Sequence, residues 1–314
     1  MIEMPLVSIV TPSYQQAAYL EQTLQSVLSQ DYPAVEYFVM DGGSTDGSMA
    51  IIQRYAPQLT GWVSEKDRGQ AEAVNKGWAR ARGEIIGWLN SDDLYAPGAV
   101  RRAVDAFAAH PRAALVFGDV RAIDAAGDTL NIMRFGNWGL ADLMRFNIIS
   151  QPGVFIRRRA LEQAGPLDLS YHFLLDHQLW LRVAQHGDLI YLPQEQASAR
   201  FHAAAKNLAQ AARFGQEAYR IVDWMQTQPA LAVPFAAHRA AIEAGAHRMN
   251  ARYLLDGAQP GAALKAYLHG LWRHPPTVLP ETHRMAFCLL SLLGLNRLGD
   301  LYRRIKARRF AGKK

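Results

Sequence analysis

The sequence predicts an α/β domain, with a mostly parallel central sheet flanked by helices, followed by an all-helical C-terminal extension. Three observations lead there. Short apolar runs alternate with amphipathic stretches of helical length through the first half of the chain, the pattern of βαβ units. One of those runs, Ile85 to Leu89, delivers a polar cluster, Asn90-Ser91-Asp92-Asp93, to its carboxyl end, where open α/β sheets bind ligands. Beyond about residue 207 strand-like runs disappear and Ala, Leu and Arg dominate. The expected division is therefore residues 1–206 and residues 207–314.

In chain order, Leu6 to Thr11 reads as a buried strand ended by Pro12. Ala18 to Ser29 is an amphipathic helix with Leu20, Leu24, Val27 and Leu28 on one face. Val35 to Met40 is the second strand, Asp41 to Gly47 its loop, and Ser48 to Tyr55 the next helix. Trp62 to Ser64 is a short third strand, Gly69 to Arg82 a helix, and Ile85 to Leu89 the fourth strand. A helix over Ala99 to Ala109 and a strand over Ala114 to Val120 follow. The Ala125-to-Asp128 stretch then suggests a turn between two short strands. Gln151 to Arg157 is strand-like, and Asp176 to His186 is a helix that packs Leu179, Trp180 and Val183. In the extension, Ala251 to Leu255 and Ala262 to Tyr267, joined through Gly257 and Pro260, form a pair of antiparallel helices.

With 314 residues, 50% of them hydrophobic, the chain can bury a large core. A single cysteine, Cys288, excludes an internal disulfide and suggests a reducing, cytoplasmic setting. Met1 to Pro5 lacks a basic n-region, so no secretory leader is expected, and the longest apolar stretch, Ala286 to Leu295, is too short for a membrane span. The formal charge of +6 is concentrated at the C-terminus. From Arg297 onward eight basic residues face Asp300 alone, leaving the rest at −1. A basic body suited to nucleic acid is absent. No Gly-x-Gly-x-x-Gly follows the first strand, and Gly42 to Gly47 is not followed by Lys-Ser/Thr, so neither a dinucleotide fingerprint nor a P-loop is present.

Two adjacent carboxylates at a strand end repel each other unless a positive partner meets them. A divalent cation shared with substrate phosphates would satisfy Asp92 and Asp93; the alternative is a solvated turn capping the helix that follows. Asp41 with two glycines is either a ligand-binding carboxylate or a tight turn. Asp67 and Asn75 are likewise either ligand contacts or a helix cap and a buried amide.

Taken together, Thr11-Pro12-Ser13-Tyr14, Asp41-Gly42-Gly43-Ser44-Thr45-Asp46, Asp67 through Gly77, Asn90-Ser91-Asp92-Asp93, Asp176 through Arg182 and Arg200-Phe201-His202 follow one another in the order found in glycosyltransferase family 2. The chain resembles that family over roughly residues 5 to 207. The resemblance implies a GT-A-like (Rossmann-like) fold and inverting transfer of a sugar from a nucleotide-diphospho-sugar to a hydroxyl acceptor. It implies a donor site at Thr11, Pro12, Ser13, Tyr14, Asp41, Asp67, Gln70, Asn75, Asn90 and Ser91, and a Mn²⁺ or Mg²⁺ ion held by Asp92, Asp93 and His202. Asp176 is the implied general base, its alternative being a helix N-cap, with His177 tuning the site. Gln151, Pro152, Gly153 and Trp180 stand on the acceptor side, and Arg200 and Lys206 offer charge to the leaving group. Two positions depart from the family pattern. Asn90 stands where a carboxylate is common, and Leu175 replaces the Glu that often precedes the base.

The expected setting is synthesis of a bacterial surface polysaccharide or lipid-linked glycan, with a saccharide or lipid-linked saccharide as acceptor. Leu298, Leu301, Tyr302 and Ile305 recur at helical spacing among basic residues. The tail is thus either a peripheral contact to an anionic membrane surface or a packed helix with a solvated basic face. A non-catalytic nucleotide-sugar- or carbohydrate-binding module of the same fold is the rival reading, supported by Asn90 and Leu175. A sugar-1-phosphate nucleotidyltransferase is disfavoured because Thr11 to Tyr14 is not a Gly-rich loop.

Overall fold

The computed structural model describes residues 4–202 and 211–295. The C-terminal basic stretch from Arg297 and Lys206 lie outside them. The described chain divides into two compact units, one of Met1–Leu143 with Asn147–His202, the other of Met144–Phe146 with the chain after His202.

The first unit is built on a nine-stranded sheet of order β3-β2-β1-β4-β8-β6-β9-β5, with β7 beside β6. Its strands are β1 (Val7–Ser13), β2 (Val35–Asp41), β3 (Gly61–Ser64), β4 (Ile85–Trp88), β5 (Leu94–Tyr95), β6 (Ala113–Ile123), β7 (Thr129–Met133), β8 (Val154–Arg157) and β9 (Asp188–Arg200). Its helices are α1 (Leu20–Leu28), α2 (Ser48–Tyr55), α3 (Gln70–Trp78), α4 (Ala99–Ala109), α5 (Leu140–Met144), α6 (Arg158–Ala164) and α7 (Leu175–Val183). The four strands β3, β2, β1 and β4 are parallel, as their βαβ spacing predicts. The rest is mixed, because β8 runs antiparallel between β4 and β6.

The register sets the site. Ser13 pairs with Asp41, Asp41 with Ser64, and Val10 with Trp88, so the carboxyl ends of four strands finish on one edge. One face of this sheet packs Val7, Ile9, Leu20, Leu24, Ile52, Val100 and Phe107 into a core with α1, α2 and α4. Gly77 allows α3 to lie on β1, since a Cβ there would overlap the Val10 side chain.

Strand β9 is not evident from sequence, and the reason is local. Pro193 and the polar run Gln194 to Gln196 read as a loop. In the structure the β6–β9 register jumps from Gly118↔Leu192 to Asp119↔Glu195. Pro193 falls in that bulge, where a missing N–H costs no ladder hydrogen bond. The strand then continues to Arg200 and brings His202 back to the end of β4.

The second unit is helical: α8 (Ala211–Thr227), α9 (Ala232–Asp256), α10 (Pro260–Arg273), α11 (Pro275–Val278) and α12 (Thr282–Leu292). The helix pair expected around Gly257 and Pro260 is α9 and α10, with α9 far longer than Ala251 to Leu255 suggested. Ala244, Ala263, Tyr267, Val278 and Cys288 form its core. Inside it the Glu281 carboxylate accepts from Arg252 and, at 2.7 Å, from the Tyr267 hydroxyl. Burial pushes Glu281 upward, but the Arg252 charge and these hydrogen bonds outweigh it and leave the acid below its ordinary range. No helix among the described residues is long and apolar enough to cross a membrane.

Candidate active site

At the ends of β1 and β2 two loops are laced together. Asp46 accepts from the Ala17 amide at 2.8 Å and from the Ser48 hydroxyl at 2.7 Å. Burial alone would raise this acid, yet those donors hold it below the usual range. Gln15 takes a left-handed conformation, φ 54°, uncommon for a residue with a side chain. It is held there by its own N–H to Ser44 Oγ, 2.9 Å, and its amide to Thr45 Oγ1, 3.0 Å. The consequence is Tyr14, 61% exposed at the mouth of the site. Beneath it Thr11 is buried against the Tyr37 hydroxyl, and Ser13 is buried with a hydroxyl that has no hydrogen-bond partner among the described residues.

Asp41 is almost fully buried and spends its carboxylate on its own loop. Oδ2 accepts from Gly43 N–H, Ser44 N–H and Ser64 Oγ, and Oδ1 accepts from Ser44 Oγ at 2.6 Å. Asp67 lies against Gly42, where a Cβ would sit 2.8 Å from Asp67 Oδ2. The two acids share a small cleft with Val63, Glu65 and Lys76, whose ammonium is 2.7 Å from Glu65. Asn75 is elsewhere. Its amide clamps the Leu167 backbone by two reciprocal 2.9 Å hydrogen bonds.

The end of β4 is an amide-linked hub. Asn90 Oδ1 accepts from Gln70 Nε2 at 2.6 Å and from the Trp88 indole at 2.9 Å. Its Nδ2 donates to Gln151 Oε1 at 3.0 Å and to Asp93 Oδ2 at 3.2 Å. Both donors and both lone pairs of the amide are thus used. Gln151 in turn donates to the Trp88 carbonyl. Gln151, Pro152 and Gly153 form a buried turn entering β8, and Gly153 is required there because a Cβ would lie 2.8 Å from Val120.

Asp92 and Asp93 have different surroundings. Asp93 is 6% exposed, accepts the Arg200 N–H at 2.9 Å, and is pushed far above the usual carboxylate range by burial and by Asp92 beside it. Asp92 keeps part of its carboxylate open and meets His202, with Nε2 3.0 Å from Oδ2. Ser91, which precedes them, is buried.

Arg200 holds this corner. Its guanidinium donates to the Asp92 carbonyl at 3.0 Å, to the Asp124 and Ala125 carbonyls at 3.2 Å each, and to Gln22 at 2.8 Å. It also stacks over Tyr19, 4.7 Å from the ring centre, and Tyr19 tilts against the His202 imidazole. Sequence reasoning assigned Arg200 to the leaving group and passed over Tyr19. Nothing near Tyr19 in the chain signals a partner 183 residues away.

Asp176 lies in the first turn of α7, half-buried, and accepts the His177 N–H at 2.8 Å. A carboxylate at that end of a helix is favoured by the macrodipole. His177 is fully buried, and burial pushes its imidazole down to about 4. It is neutral above that pH and cannot act as a cation. Leu175 is buried too. Trp180 is 1% exposed with its indole N–H unpartnered among the described residues, so its ring offers no face to a sugar in this structure.

Residues 8–163 match the family model described as glycosyl transferase family 2. The chain is 32% identical over 197 residues to a PGL/p-HBAD biosynthesis glycosyltransferase of Mycobacterium bovis, spanning 59% of this chain and 72% of that one. The chain belongs to glycosyltransferase family 2. It is also 31% identical over 186 residues to the O-antigen biosynthesis protein RfbC of Myxococcus xanthus, covering 58% of this chain but only 14% of RfbC. Among solved structures, the fold is shared with the mannosyltransferase PcManGT from Pyrobaculum calidifontis, in complex with GDP-Man and Mn²⁺. That match has a TM-score of 0.62 and 22% identity, and covers 94% of this chain and 88% of that one. TarS 1-349 of S. aureus matches with a TM-score of 0.62 at 16% identity, over 95% and 91% of the two chains. The chain therefore carries a glycosyltransferase family 2 domain on a GT-A-like fold, and the motif residues Ser13, Asp41 and Asn90 to Asp93 lie at the strand ends described above.

Proposed function

We propose that this glycosyltransferase uses a nucleotide-diphospho-sugar and moves the sugar, with inversion, to a hydroxyl of a saccharide or lipid-linked saccharide in bacterial surface glycan synthesis. The observation that carries the reading is the Asp92–His202 pair at the end of β4, whose neighbouring strand β1 ends just before the exposed Tyr14. Tyr14 offers an aromatic face to the base, and Asp41 and Asp67 line the adjoining cleft. The unpartnered Ser13 hydroxyl at the same edge suits a polar ligand group.

The donor atoms at Asp92 and His202 fit a divalent cation. An oxygen and an imidazole nitrogen already face one another, and Mn²⁺ or Mg²⁺ takes the rest of its shell from phosphate oxygens and water. No group of three or more His, Cys, Asp or Glu side chains that could hold a metal ion is assembled among the described residues. When bound, such an ion neutralises charge on the departing diphosphate. Asp93 supports this pair from within, through Asn90 and the Arg200 backbone, and contributes no open ligand atom.

For transfer, a carboxylate opposite the diphosphate takes the acceptor hydroxyl proton as that oxygen bonds to the anomeric carbon and the carbon–phosphate oxygen bond breaks. Asp176 fills this role. Gln151, Pro152 and Gly153 bound the acceptor side through backbone and shape. Calorimetric titration with UDP-, dTDP- and GDP-sugars, with and without Mn²⁺, tests the reading beside an Asp92→Ala variant. One nucleotide class should bind only with metal, and the variant should lose that binding. Binding of no donor under any condition would instead favour the non-catalytic module.

A further inference from the structure

The helical unit carries an apolar surface that the transferase reading does not use. Leu268 and Trp272 stand one turn apart on α10, Leu279 follows α11, Leu289 and Leu292 lie in the last turn of α12, and Leu293 follows it. All are at least half exposed, Trp272 at 79% and Leu293 at 72%. On α12 the exposed stripe Ala286, Leu289, Leu293 keeps helical spacing without a polar residue. Scattered single apolar residues on a surface need no explanation, but six large exposed ones between residues 268 and 293 of one unit do.

Charge identifies what fits them. From Gly257 to the C-terminus the sequence has eleven Lys and Arg against two acids. One of those acids, Glu281, is buried and consumed by Arg252 and Tyr267. Lys265 and Arg273 are exposed on α10; the Arg273 guanidinium stacks on Trp272, 5.1 Å from its ring centre, and pairs with Glu243 at 3.2 Å. Eight further basic residues follow immediately after Leu295 in sequence. A second copy presenting the same excess of positive charge would be repelled, and a nucleic acid would leave the leucines in water. An exposed indole and leucines, followed in sequence by a run of cations, match the interface of an anionic bilayer, where Trp sits at headgroup level and each cation adds attraction.

We propose that the α10–α12 surface is a peripheral docking face for anionic membrane. The inference is independent of the donor site and survives or fails apart from it. Vesicle co-sedimentation of the full chain tests it, using phosphatidylcholine alone or mixed with phosphatidylglycerol, at low and high salt. Wild type should partition onto the mixed vesicles, release with salt, and ignore neutral ones. Leu268→Ser with Trp272→Ser, and separately Leu289→Ser with Leu293→Ser, replace exposed residues and should keep the thermal melt while lowering the partition coefficient about tenfold or more. Unchanged partitioning of both serine variants would overturn the proposal. So would a wild-type dimer in sedimentation velocity that those serine variants dissolve, because the face would then be a contact between copies.

Discussion

Replacing Asn90 by Asp restores the carboxylate common at this position in the family, and the structure argues that it should harm this protein. The Asn90 amide donates to Gln151 Oε1 and Asp93 Oδ2 while accepting from Gln70 and Trp88. An aspartate keeps the two acceptor contacts but turns both donors into acceptors. It then faces the Asp93 carboxylate, already pushed up by burial and by Asp92. Gln151 cannot rescue the contact by turning its amide over, because its nitrogen is committed to the Trp88 carbonyl. Two lost hydrogen bonds in a part-buried hub, with an added like charge, cost on the order of 2–4 kcal/mol. Urea unfolding of Asn90→Asp and Asn90→Ala measures it. The Asp variant should have the lower midpoint of the two, since Ala removes donors and acceptors without adding charge. Donor affinity should fall in both. An Asp variant as stable as wild type, with tighter metal-dependent donor binding, would refute the reasoning and make Asn90 a simple loss of ligand.

Glu36 is buried and accepts from the Ser8 hydroxyl and from the Arg82 and Gly83 N–H groups. Burial raises it, but these hydrogen bonds win and its acid lies below the ordinary range. Its stabilisation is therefore full above the unfolded carboxylate range and is lost as pH falls through its depressed native value. Glu36→Gln should flatten that acid-side loss in urea midpoints measured across pH. Arg200→Lys should destabilise by about 2–4 kcal/mol, because three ammonium donors cannot reach four acceptors spread over Asp92, Asp124, Ala125 and Gln22. Its donor affinity should drop with it, read by calorimetry. Asp176→Asn should lower turnover by about 10²–10⁴-fold with donor binding intact. Because His177 is neutral above about 4, no acid limb of the pH–rate profile near 6 should disappear in His177→Gln.

What the sequence makes legible here follows from how locally each feature is specified. Strands β2 and β4 are continuous apolar runs bounded by polar turns, so Asp41 and Asn90 to Asp93 can be placed by pattern alone, whereas β1 runs through Pro12, where the sequence suggests an end, to pair Ser13 with Asp41. Strand β9 has no such pattern, because its pairing is set by β6 and its proline hides in a bulge. Side-chain roles follow the same division. That Asp92 and His202 belong together is readable only through motif order, since 110 residues separate them. That Asn75 clamps Leu167, or that Trp180 is core, depends on neighbours 92 residues away or on all-round burial that helical spacing does not distinguish from a binding face.

The arrangement at β4 also explains why a departure from the family pattern can be tolerated. A strand end with carboxylates at positions 90, 92 and 93 would place three negative charges within a few residues, and one of them, Asp93, is buried. Burying an unpaired charge is far costlier than burying an amide with all its hydrogen bonds made. With Asn at 90, the amide neutralises the demand of Asp93 locally and ties β4 to the Gln151 turn and to α3 through Gln70. Asp92 is then the one acid of the cluster left with an open edge and a nitrogen partner, His202. The loss of a charge at 90 is thus coupled to the rigidity of the pair at 92 and 202. Gln151→Ala should consequently weaken metal-dependent donor binding although Gln151 never reaches the metal, while Gln151→Glu, which puts a carboxylate against the Trp88 carbonyl, should weaken it further. If Gln151→Ala bound donor and Mn²⁺ as wild type does, the coupling would not exist and Asp92 and His202 would hold their geometry without the hub.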